Sequence, residues 1–571
     1  MLKKIVIFFA LFLILLASSW ALLHPGIFRV HDFVHGARIA EMATALKDGH
    51  FPVRWSQNFG YGYGMPLFEF YAPLPYFVGA LLYLIGVPLI ISVKLLFLIC
   101  TVFTTLGAFM LGARLYGRAG GILTAAAITL APYRAVNLFI RGAVSESWAI
   151  MAMVWIVFFT FETIKKRKAA WFGLVISLTV LFLSHNLMTI LFIPFGVVLA
   201  LAYAFFQGSE SKMPLFSAKN VQQTLFSTLK VGAGYLLAFG CAAFYLLPAF
   251  FEKGYTKVEQ YITGGYFDFH LHFVYLRQFV TPYWGYGGSE WGPNDGISFF
   301  LGIGQILGLL LFIVVIVKFL HTKKSNATSA HKIWFLLVVG ALLVAELLFA
   351  TEKSVGLWNS IELLKFVQFP WRTLSIALIC VGILSSAVVL TIPSFVKRWM
   401  VVWILFLILL LNAWMFRPEA WLGSPEALYY SAPERISKDM SGVLPDYIPY
   451  DLQEGLPVAQ ELSSCEGCQT EVLVERTDQK LVAVTSAQNT TIVFSVAYFP
   501  GWLAEVNGQP ADLVVNDQGL IAVSVPAGKS LVGIVLKGTL LRQWSDCISA
   551  VSGILVLGLY VYSVKKDRQH E

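Results

Sequence analysis

The densest cluster of polar residues near the N-terminus is the run His31-Asp32-Phe33-Val34-His35-Gly36-Ala37-Arg38. A helix over 32–46 would place Asp32 three positions before His35 and nearly two turns from Arg38, so that one face presents a carboxylate, an imidazole and a guanidinium. Such a carboxylate can act as a general base, and the cation can bind a phosphate. The alternative is an ordinary helix with Asp32 near its N-terminal cap.

Polar side chains also stand at the ends of several apolar segments. An ionisable group at this depth usually faces a cavity, pairs with another charge or binds an anion. A single cation there can instead extend its charged end into water, but an excess of such residues on one face indicates a cavity. With His35 and Arg38, the candidates for binding a donor phosphate or another part of a substrate are Arg54, Lys94, Arg141, Glu146, His185, Asn186 and Arg372.

The composition indicates a membrane protein. Of the 571 residues, 57% are hydrophobic and 13% are charged, whereas a soluble domain carries roughly 25% charged residues. This excludes a soluble cytosolic enzyme and a disordered chain. The net charge of +8 does not indicate nucleic-acid binding, because residues 417–545 hold 15 acidic and 8 basic residues. The basic excess therefore belongs to the loops between apolar runs, as expected for loops that face the cytoplasm and anionic lipids.

The positions of the basic loops set the expected topology. The strongest cytoplasmic marker is Lys165-Lys166-Arg167-Lys168. It lies inside, together with the other basic loops, only if the moderately long apolar run 71–86 is half-embedded at the outer face instead of spanning the bilayer. We therefore predict about 12 transmembrane helices in the inner (cytoplasmic) membrane, with both termini in the cytoplasm. The spans are 5–23, 91–112, 119–137, 147–163, 169–183, 187–206, 229–250, 297–319, 333–350, 374–393, 400–416 and 546–563.

The first run, 5–23, has two interpretations. Ala17-Ser18-Ser19 is a weak cleavage-like patch of a signal peptide, but the apolar run continues to Leu23, which favours an uncleaved anchor. With this anchor, the polar segments fall on the outer face. Irregular backbone at membrane depth needs protein or water around it, so these segments should together build a cavity. They are 24–90, 138–146, 184–186, 251–296, 351–373 and 417–545.

The fold class that follows is a polytopic α-helical membrane protein with a C-terminal extracytoplasmic β domain. Residues 417–545 contain short β-branched segments separated by turn signals, which predict a small β-sandwich. The predicted strands are 471–476, 481–486, 491–497, 511–515, 520–525 and 531–536. We divide the chain into a transmembrane domain (1–416) with a large first outer loop (24–90), the β domain (417–545), and a final helix with a cytoplasmic tail (546–571). If the β domain is extracytoplasmic, Cys465 and Cys468 are expected to form a disulfide.

Other chemistries find little support. His270-Leu271-His272 has a spacing that zinc sites use on strands, but a third ligand of that kind is missing nearby. The sequence has no GxSxG, HExxH or Walker loop. Gly60, Gly62 and Gly64 alternate with aromatic residues and are interpreted as the adaptable lip of a binding site. We therefore expect no cofactor, although a divalent metal stays open.

Several motifs resemble a bacterial family of membrane proteins described as "6-pyruvoyl-tetrahydropterin synthase-related". The resemblance covers most of 25–420. It rests on His31-Asp32 through Arg38, on Gly49-His50-Phe51-Pro52-Val53-Arg54-Trp55, on 60–68, on Tyr71-Ala72-Pro73-Leu74, on Ala131-Pro132-Tyr133, on Arg141-Gly142-Ala143 with Glu146, on Ser184-His185-Asn186 and on Gln368-Phe369-Pro370-Trp371-Arg372. The run Tyr498-Phe499-Pro500-Gly501-Trp502 is similar to the outer domain of YfhO-like proteins. The three-histidine zinc site of the soluble pterin enzyme has no counterpart in this sequence.

The architecture resembles the GT-C superfamily of membrane glycosyltransferases, and this resemblance implies a function. Such enzymes transfer a sugar from a polyprenyl-phosphate donor, and their first outer loop carries an acidic residue that Asp32 matches. The resemblance implies that Asp32 is catalytic. Because the phosphate of a lipid donor lies at headgroup depth, the cations Lys94, Arg141 and Arg372 are candidates for binding the departing phosphate. Many members have a second acidic residue beside the first, whereas His31 stands here, which puts metal dependence in doubt.

The expected activity is inverting transfer of a sugar to an extracytoplasmic glycan, lipid or protein. The expected partners are membrane lipids, the lipid-linked donor and this acceptor, with no nucleic acid. Two alternatives stay open. A transporter or flippase of lipid-linked sugars would carry polar residues through the midplane and internal repeats, whereas the ionisable residues here crowd the outer ends. A non-catalytic envelope assembly protein would leave the cluster from Asp32 to Arg38 unexplained.

Overall fold

The computed structural model describes residues 2–167, 169–207, 217–321, 327–393, 395–422, 431–443 and 445–568. Lys168 of the predicted cytoplasmic cluster lies outside the described residues. The same holds for 423–430 and 444 of the predicted β domain and for 569–571 of the predicted tail.

The described part is mainly helical, as predicted. Nine of its helices are long and apolar enough to cross a membrane, and two shorter apolar helices, Ala170–Ser184 and Ile303–Phe319, lie among them. The nine are Lys4–Leu23, Leu89–Thr129, Val144–Ile164, Asn186–Phe206, Ala218–Cys241, His331–Phe349, Pro370–Leu390, Lys397–Met415 and Leu540–Lys565.

The 41-residue helix Leu89–Thr129 is two helices joined at a kink. Gly117 has φ +78° and ψ −177°, a backbone conformation that costs glycine little and other residues much. The halves 89–116 and 118–129 therefore run as separate segments. The first half covers the predicted span 91–112, whereas the second is only about 18 Å long and does not by itself account for the span predicted over 119–137. The apolar helices of the described residues confirm the polytopic helical architecture.

The run 71–86 forms a short helix, Leu74–Leu84, of 11 residues. At 1.5 Å per residue it is about 16 Å long, roughly half the hydrocarbon thickness of a bilayer. It packs closely on the helix His35–Lys47, since a Cβ atom at Gly79 would lie 2.8 Å from the side chain of Ile39. These dimensions agree with a half-embedded helix and are too short for a spanning one.

The bundle is centred on the helix Pro370–Leu390, which is buried almost along its whole length. Its contacts with the kinked helix include hydroxyl groups, with Thr124 Oγ1 donating to Ser386 Oγ at 2.9 Å and Tyr116 Oη donating to the Ile383 carbonyl at 2.8 Å. The last helix, Leu540–Arg568, lies at the periphery. The central helix begins at Pro370, so Arg372 stands in its first turn.

The predicted β domain contains two antiparallel sheets. One has four strands in the order Ser463–Cys465, Thr490–Ala497, Leu520–Val525, Leu513–Val515. The other has five in the order Cys468–Arg476, Gln479–Ser486, Gly528–Leu536, Trp502–Val506, Gln509–Ala511. Alternating buried residues such as Val482, Val484, Ile492 and Phe494 form the core of this domain. Cys465 and Cys468 form the expected disulfide.

Three details of the strand prediction were wrong. The strand Ser463–Cys465 was not predicted. The predicted strand 511–515 is broken at Asp512, and its two parts belong to different sheets. The strand Trp502–Val506 was missed because Tyr498-Phe499-Pro500-Gly501-Trp502 gives a strong turn signal just before it. A separate two-stranded antiparallel sheet, Ile27–Phe28 with Trp421–Leu422, joins the beginning of the first outer loop to the end of the helical domain.

The glycine-rich stretch 60–64 contacts the β domain, which corrects the prediction of a binding-site lip. The Tyr61 carbonyl accepts a hydrogen bond from the Ala459 amide at 3.0 Å, and the Tyr63 carbonyl accepts one from Ala497 at 2.8 Å. Gly64 has φ +80°, and a Cβ atom there would lie 2.5 Å from the buried indole of Trp55. The glycines are therefore needed for close packing of the first loop under the β domain.

Candidate functional site

One cavity of about 740 Å³ opens at one end of the helical bundle. Every one of the six segments predicted to lie on the outer face contributes to its wall. Phe70, Tyr71, Tyr261, Tyr266, Phe369 and Trp371 give it an aromatic lining. Six of the predicted site residues line it: Asp32, Arg38, Arg141, His185, Asn186 and Arg372.

Asp32 reaches the cavity from the chain that precedes the helix His35–Lys47. The N-terminal cap of that helix is Val34, and no side chain caps it, so the helix-capping interpretation of Asp32 is wrong. The Asp32 amide donates to the Arg141 carbonyl at 2.8 Å. Next to this contact, Gly142 has φ +67°, and a Cβ atom there would lie 2.6 Å from Val30. The backbone thus fixes Asp32 beside Arg141.

The carboxylate of Asp32 is paired on one side and open on the other. Arg38 Nη1 lies 3.3 Å from Asp32 Oδ2 and also donates to the Tyr76 hydroxyl at 2.9 Å. About a third (32%) of the Asp32 side chain stays exposed, whereas Arg38 is buried. Burial raises the pKa of Asp32, but Arg38 and then His35 more than offset this, and the pKa falls below 3.8. Asp32 is therefore ionised at neutral pH.

His35 stands behind Asp32, not in the cavity wall. Its Nε2 lies 2.5 Å from the Gly142 carbonyl and must donate to it, so its Nδ1 accepts from the Tyr76 hydroxyl at 3.0 Å. Burial lowers the pKa of His35 below 6.5 against the opposing effect of Asp32, which fits this neutral tautomer. His35 Nε2 is 3.9 Å from Asp32 Oδ2. His35 therefore positions the acidic segment and is not placed to contact a ligand in the cavity.

Glu146 is the centre of a buried polar network below the cavity. It lies in the first turn of the helix Val144–Ile164 and is 1% exposed. Arg372 Nε lies 3.6 Å from Glu146 Oε2. The other partners of the carboxylate are Arg141 Nη1 at 2.6 Å, the Tyr133 hydroxyl at 2.7 Å, the Ser375 hydroxyl at 2.7 Å and Asn137 Nδ2 at 3.3 Å. Glu146 therefore holds two arginines in place and does not itself line the cavity.

The two arginines leave a net positive charge, since one carboxylate serves both. The Arg141 guanidinium stacks on Trp371, with 4.6 Å between its central carbon and the ring centroid. Arg372 Nη1 donates to the Val367 carbonyl at 2.6 Å. Arg372 Nε is buried and has no hydrogen-bond partner among the residues that the structure describes. Stacked or bonded guanidinium groups of this kind are pre-organised to bind an oxyanion.

His185 and Asn186 stand at the tip between the helices Ala170–Ser184 and Asn186–Gln207. His185 Nδ1 accepts from the Met188 amide at 3.3 Å, and Asn186 Oδ1 accepts from the Leu187 amide at 2.9 Å. Their remaining polar atoms, His185 Nε2 and Asn186 Nδ2, have no hydrogen bond within the described part of the chain. Both residues line the cavity and can offer these atoms to a ligand.

Two predicted site residues lie away from the cavity. Arg54 Nη2 pairs with Asp546 Oδ1 at 2.6 Å and donates to the Phe244 carbonyl at 3.0 Å, which joins the first loop to the last helix. Lys94 donates to the His24 carbonyl at 2.5 Å at the start of its helix. Neither lines the cavity. Arg54 and Lys94 were predicted as binding residues from their charge and their position along the chain. Neither property shows which distant residue a side chain contacts in the fold.

The histidines of the HxH motif do not face each other as ligands would. His270 contacts Asp268 Oδ1 at 2.7 Å and Asn359 Oδ1 at 3.0 Å. His272 Nδ1 lies 3.0 Å from the Ser289 hydroxyl, and its Nε2 contacts the Tyr266 carbonyl. Within the described ranges, no group of three or more His, Cys, Asp and Glu residues is arranged to hold a metal ion.

The cavity residue Asp446 was not predicted from the sequence. It lies on the turn Pro445–Tyr447, inside the segment predicted as β domain. Burial raises the pKa of Asp446 to about 6, and Arg38 opposes this. The only local signal is a polar residue between Pro445 and Pro449, and prolines of this kind mark a turn without indicating where it packs.

No protein-family model and no curated protein matches the chain. Among solved structures, it is similar to the arabinofuranosyltransferase AftD from Mycobacteria, with a TM-score of 0.42 and 14% identity over 73% of this chain and 27% of that chain. It is also similar to the oligosaccharyltransferase of Archaeoglobus fulgidus, with a TM-score of 0.40 and 12% identity over 74% of this chain and 55% of that chain. The chain thus covers less than two thirds of either protein, and likeness of this degree assigns no activity. The resemblance to the "6-pyruvoyl-tetrahydropterin synthase-related" family stays a prediction.

Proposed function

We propose that this protein is a membrane glycosyltransferase of the GT-C type. It transfers a sugar from a polyprenyl-phosphate donor to an acceptor on the extracytoplasmic face of the inner membrane. The observation that carries the proposal is the pairing, in one cavity, of an ionised carboxylate with two guanidinium groups that share a single counter-charge. Sugar transfer from a lipid phosphate needs a group that takes a proton from the acceptor and cations that stabilise the departing phosphate.

Arg141 and Arg372 are the phosphate-binding residues of this proposal. Their positions at the ends of helices fit a phosphate at headgroup depth, and the polyprenyl chain then extends into the bilayer. Glu146 neutralises only one of the two positive charges, so a bound phosphate would complete the charge balance. Arg141 and Arg372 both line the cavity, so their guanidinium groups can donate hydrogen bonds to the oxyanion. His185 and Asn186 add polar atoms on the same wall.

Asp32 is the catalytic residue of this proposal. The acceptor oxygen forms a bond to the anomeric carbon, the bond from that carbon to the phosphate oxygen breaks, and the phosphate leaves with the electron pair. The acceptor proton passes to Asp32. Because the pKa of Asp32 is below 3.8, the proton moves late, after the sugar has gained oxocarbenium character. A single displacement of this kind inverts the anomeric configuration.

The position of the charged residues favours an enzyme over a flippase. A transporter places its binding site near the midplane between repeated halves, whereas the cavity is built from the segments at one end of the bundle. An assembly protein without activity would leave unexplained why Asp32, Arg141 and Arg372 line the same cavity.

The experiment is transfer from undecaprenyl-phosphate sugars by the purified protein in nanodiscs. Asp32→Asn keeps the shape of the side chain and removes its charge, so the rate should fall on the order of 10²-fold or more while donor binding is kept. Arg372→Gln should instead weaken donor binding. The matched controls are Asp512→Asn and Arg417→Gln, which change exposed residues away from the cavity. If Asp32→Asn transfers sugar like the parent, the catalytic assignment is wrong.

A further inference from the structure

The turn Pro445–Tyr447 carries a carboxyl group into the cavity from the segment between the helical domain and the β-sheets. The turn is firmly placed. The Tyr447 ring lies parallel to Phe70, with 6.1 Å between centroids and 4° between planes. The Ile448 carbonyl accepts from the Lys257 amide at 3.0 Å, and the Tyr450 amide donates to the Tyr255 carbonyl at 2.8 Å. Asp446 therefore stands in the cavity because its neighbours are fixed on both sides.

The carboxyl group of Asp446 is not used by the protein itself. It is half-buried and makes no hydrogen bond or ion pair within the ranges that the structure describes. The cation that acts on it is Arg38, whose Nη1 is already bonded to Asp32 and to the Tyr76 hydroxyl. A partly buried carboxyl group normally finds donors in the protein or in a ligand. Asp446 thus has acceptor capacity directed at the cavity contents.

The charge balance of the cavity indicates which ligand fits. Three guanidinium groups, those of Arg38, Arg141 and Arg372, stand against three carboxyl groups, those of Asp32, Glu146 and Asp446. Without the donor these charges balance, so net charge alone does not select a cationic ligand. A neutral ligand rich in hydroxyl groups can instead donate to Asp446 and Asp32 and pack its rings on the aromatic wall that includes Tyr71 and Tyr261.

We propose that Asp446 binds hydroxyl groups of the acceptor, and that this acceptor is a saccharide. The proposal rests on the glycosyltransferase function and names its acceptor class. Asp446 approaches from the segment that leads to the β domain, whereas the arginines that bind the donor phosphate stand at helix ends. The outer segment would thus complete the acceptor half of the site.

The test measures saccharide binding apart from catalysis. The parent protein in nanodiscs is examined by saturation-transfer NMR with methyl glycosides of glucose, galactose, mannose and arabinofuranose. At least one glycoside should bind, and Asp446→Ala should weaken it by about 10-fold or more, as expected for loss of a hydrogen bond to a charged group. The affinity of Asp446→Asn for the glycoside should lie between that of the parent and that of Asp446→Ala. Asp451→Ala, an exposed acid of the same segment, should bind like the parent.

A second probe, undecaprenyl phosphate, separates the two proposals and reports on folding. Its affinity should be unchanged in Asp446→Ala and reduced in Arg372→Gln. Suppose that undecaprenyl phosphate follows this pattern while no glycoside binds the parent, or while Asp446→Ala binds glycosides as the parent does. In either case the proposal of a saccharide acceptor is wrong and the glycosyltransferase proposal stands. If Asp446→Ala loses both ligands, Asp446 is a structural residue and the acceptor proposal is overturned. If undecaprenyl phosphate does not bind the parent, both proposals fall.

Discussion

The buried pairing of Glu146 with two arginines allows a quantitative prediction. Replacement of Glu146 by Gln keeps the side-chain volume and removes the carboxylate that pairs with both Arg141 and Arg372. At an effective dielectric constant of about 20, opposite charges at the observed 2.6 Å and 3.6 Å attract by about 6 and about 5 kcal/mol. The variant no longer carries the desolvation cost of a buried carboxylate, and this offsets much of the lost attraction. We expect a net loss of about 3–5 kcal/mol, the range found when one partner of a buried pair is removed.

The assay is the free energy of unfolding in mixed micelles, measured for Glu146→Gln, Arg372→Gln and the double variant. The double variant again has one uncompensated guanidinium, as in the parent, so it should recover part of the loss and reveal a coupling between the two sites. Undecaprenyl phosphate should stabilise Glu146→Gln more than the parent, because the variant site carries one more positive charge. A loss below about 1 kcal/mol, or no coupling in the double variant, would refute the reasoning.

Three further predictions concern acidity, topology and the disulfide. Burial raises the pKa of Asp32 but Arg38 and His35 bring it below 3.8, so Arg38→Gln should move the acid limb of the pH–rate profile up by about one to three pH units, and an unmoved limb would contradict this. A cysteine that replaces exposed Asn507 should react with a membrane-impermeant label added from outside, and one that replaces exposed Lys166 should not. Labelling at position 166 from outside would mean that Leu74–Leu84 spans the bilayer. The disulfide closes a loop of only a few residues, so Cys465→Ser should lower the free energy of unfolding of the β domain by about 2 kcal/mol. In the parent, both cysteines should resist alkylation until the disulfide is reduced. Free thiols in freshly prepared membranes would show that the disulfide does not form.

The sequence was most informative where a local pattern is tied directly to the physics of a membrane. Runs of apolar residues and the basic cluster at 165–168 led to the spans and to the short helix Leu74–Leu84. The proximity of Asp32, His35 and Arg38 followed from helical spacing, although the helix begins only at His35. In each case the signal lies within a few residues, where backbone geometry limits the alternatives.

Features that depend on distant packing were not accessible in this way. Arg54 pairs with Asp546, which is 492 positions away, and no local pattern distinguishes it from the arginines of the cavity. Asp446 reaches the cavity because a whole domain folds back over the first loop. The glycines at 60–64 look like a flexible lip in the sequence, but their absent side chains admit Trp55 and the β domain. Pairings of this kind are set by tertiary packing, which outweighs local preference.

The most direct test of the central claim is an electron cryomicroscopy map of the protein in nanodiscs with undecaprenyl phosphate. We predict phosphate density within hydrogen-bond distance of the Arg372 and Arg141 guanidinium groups, with the lipid chain leaving toward the bilayer and Asp32 facing the open part of the same cavity. An ordered phosphate bound elsewhere, or an empty cavity at a saturating lipid concentration, would contradict it.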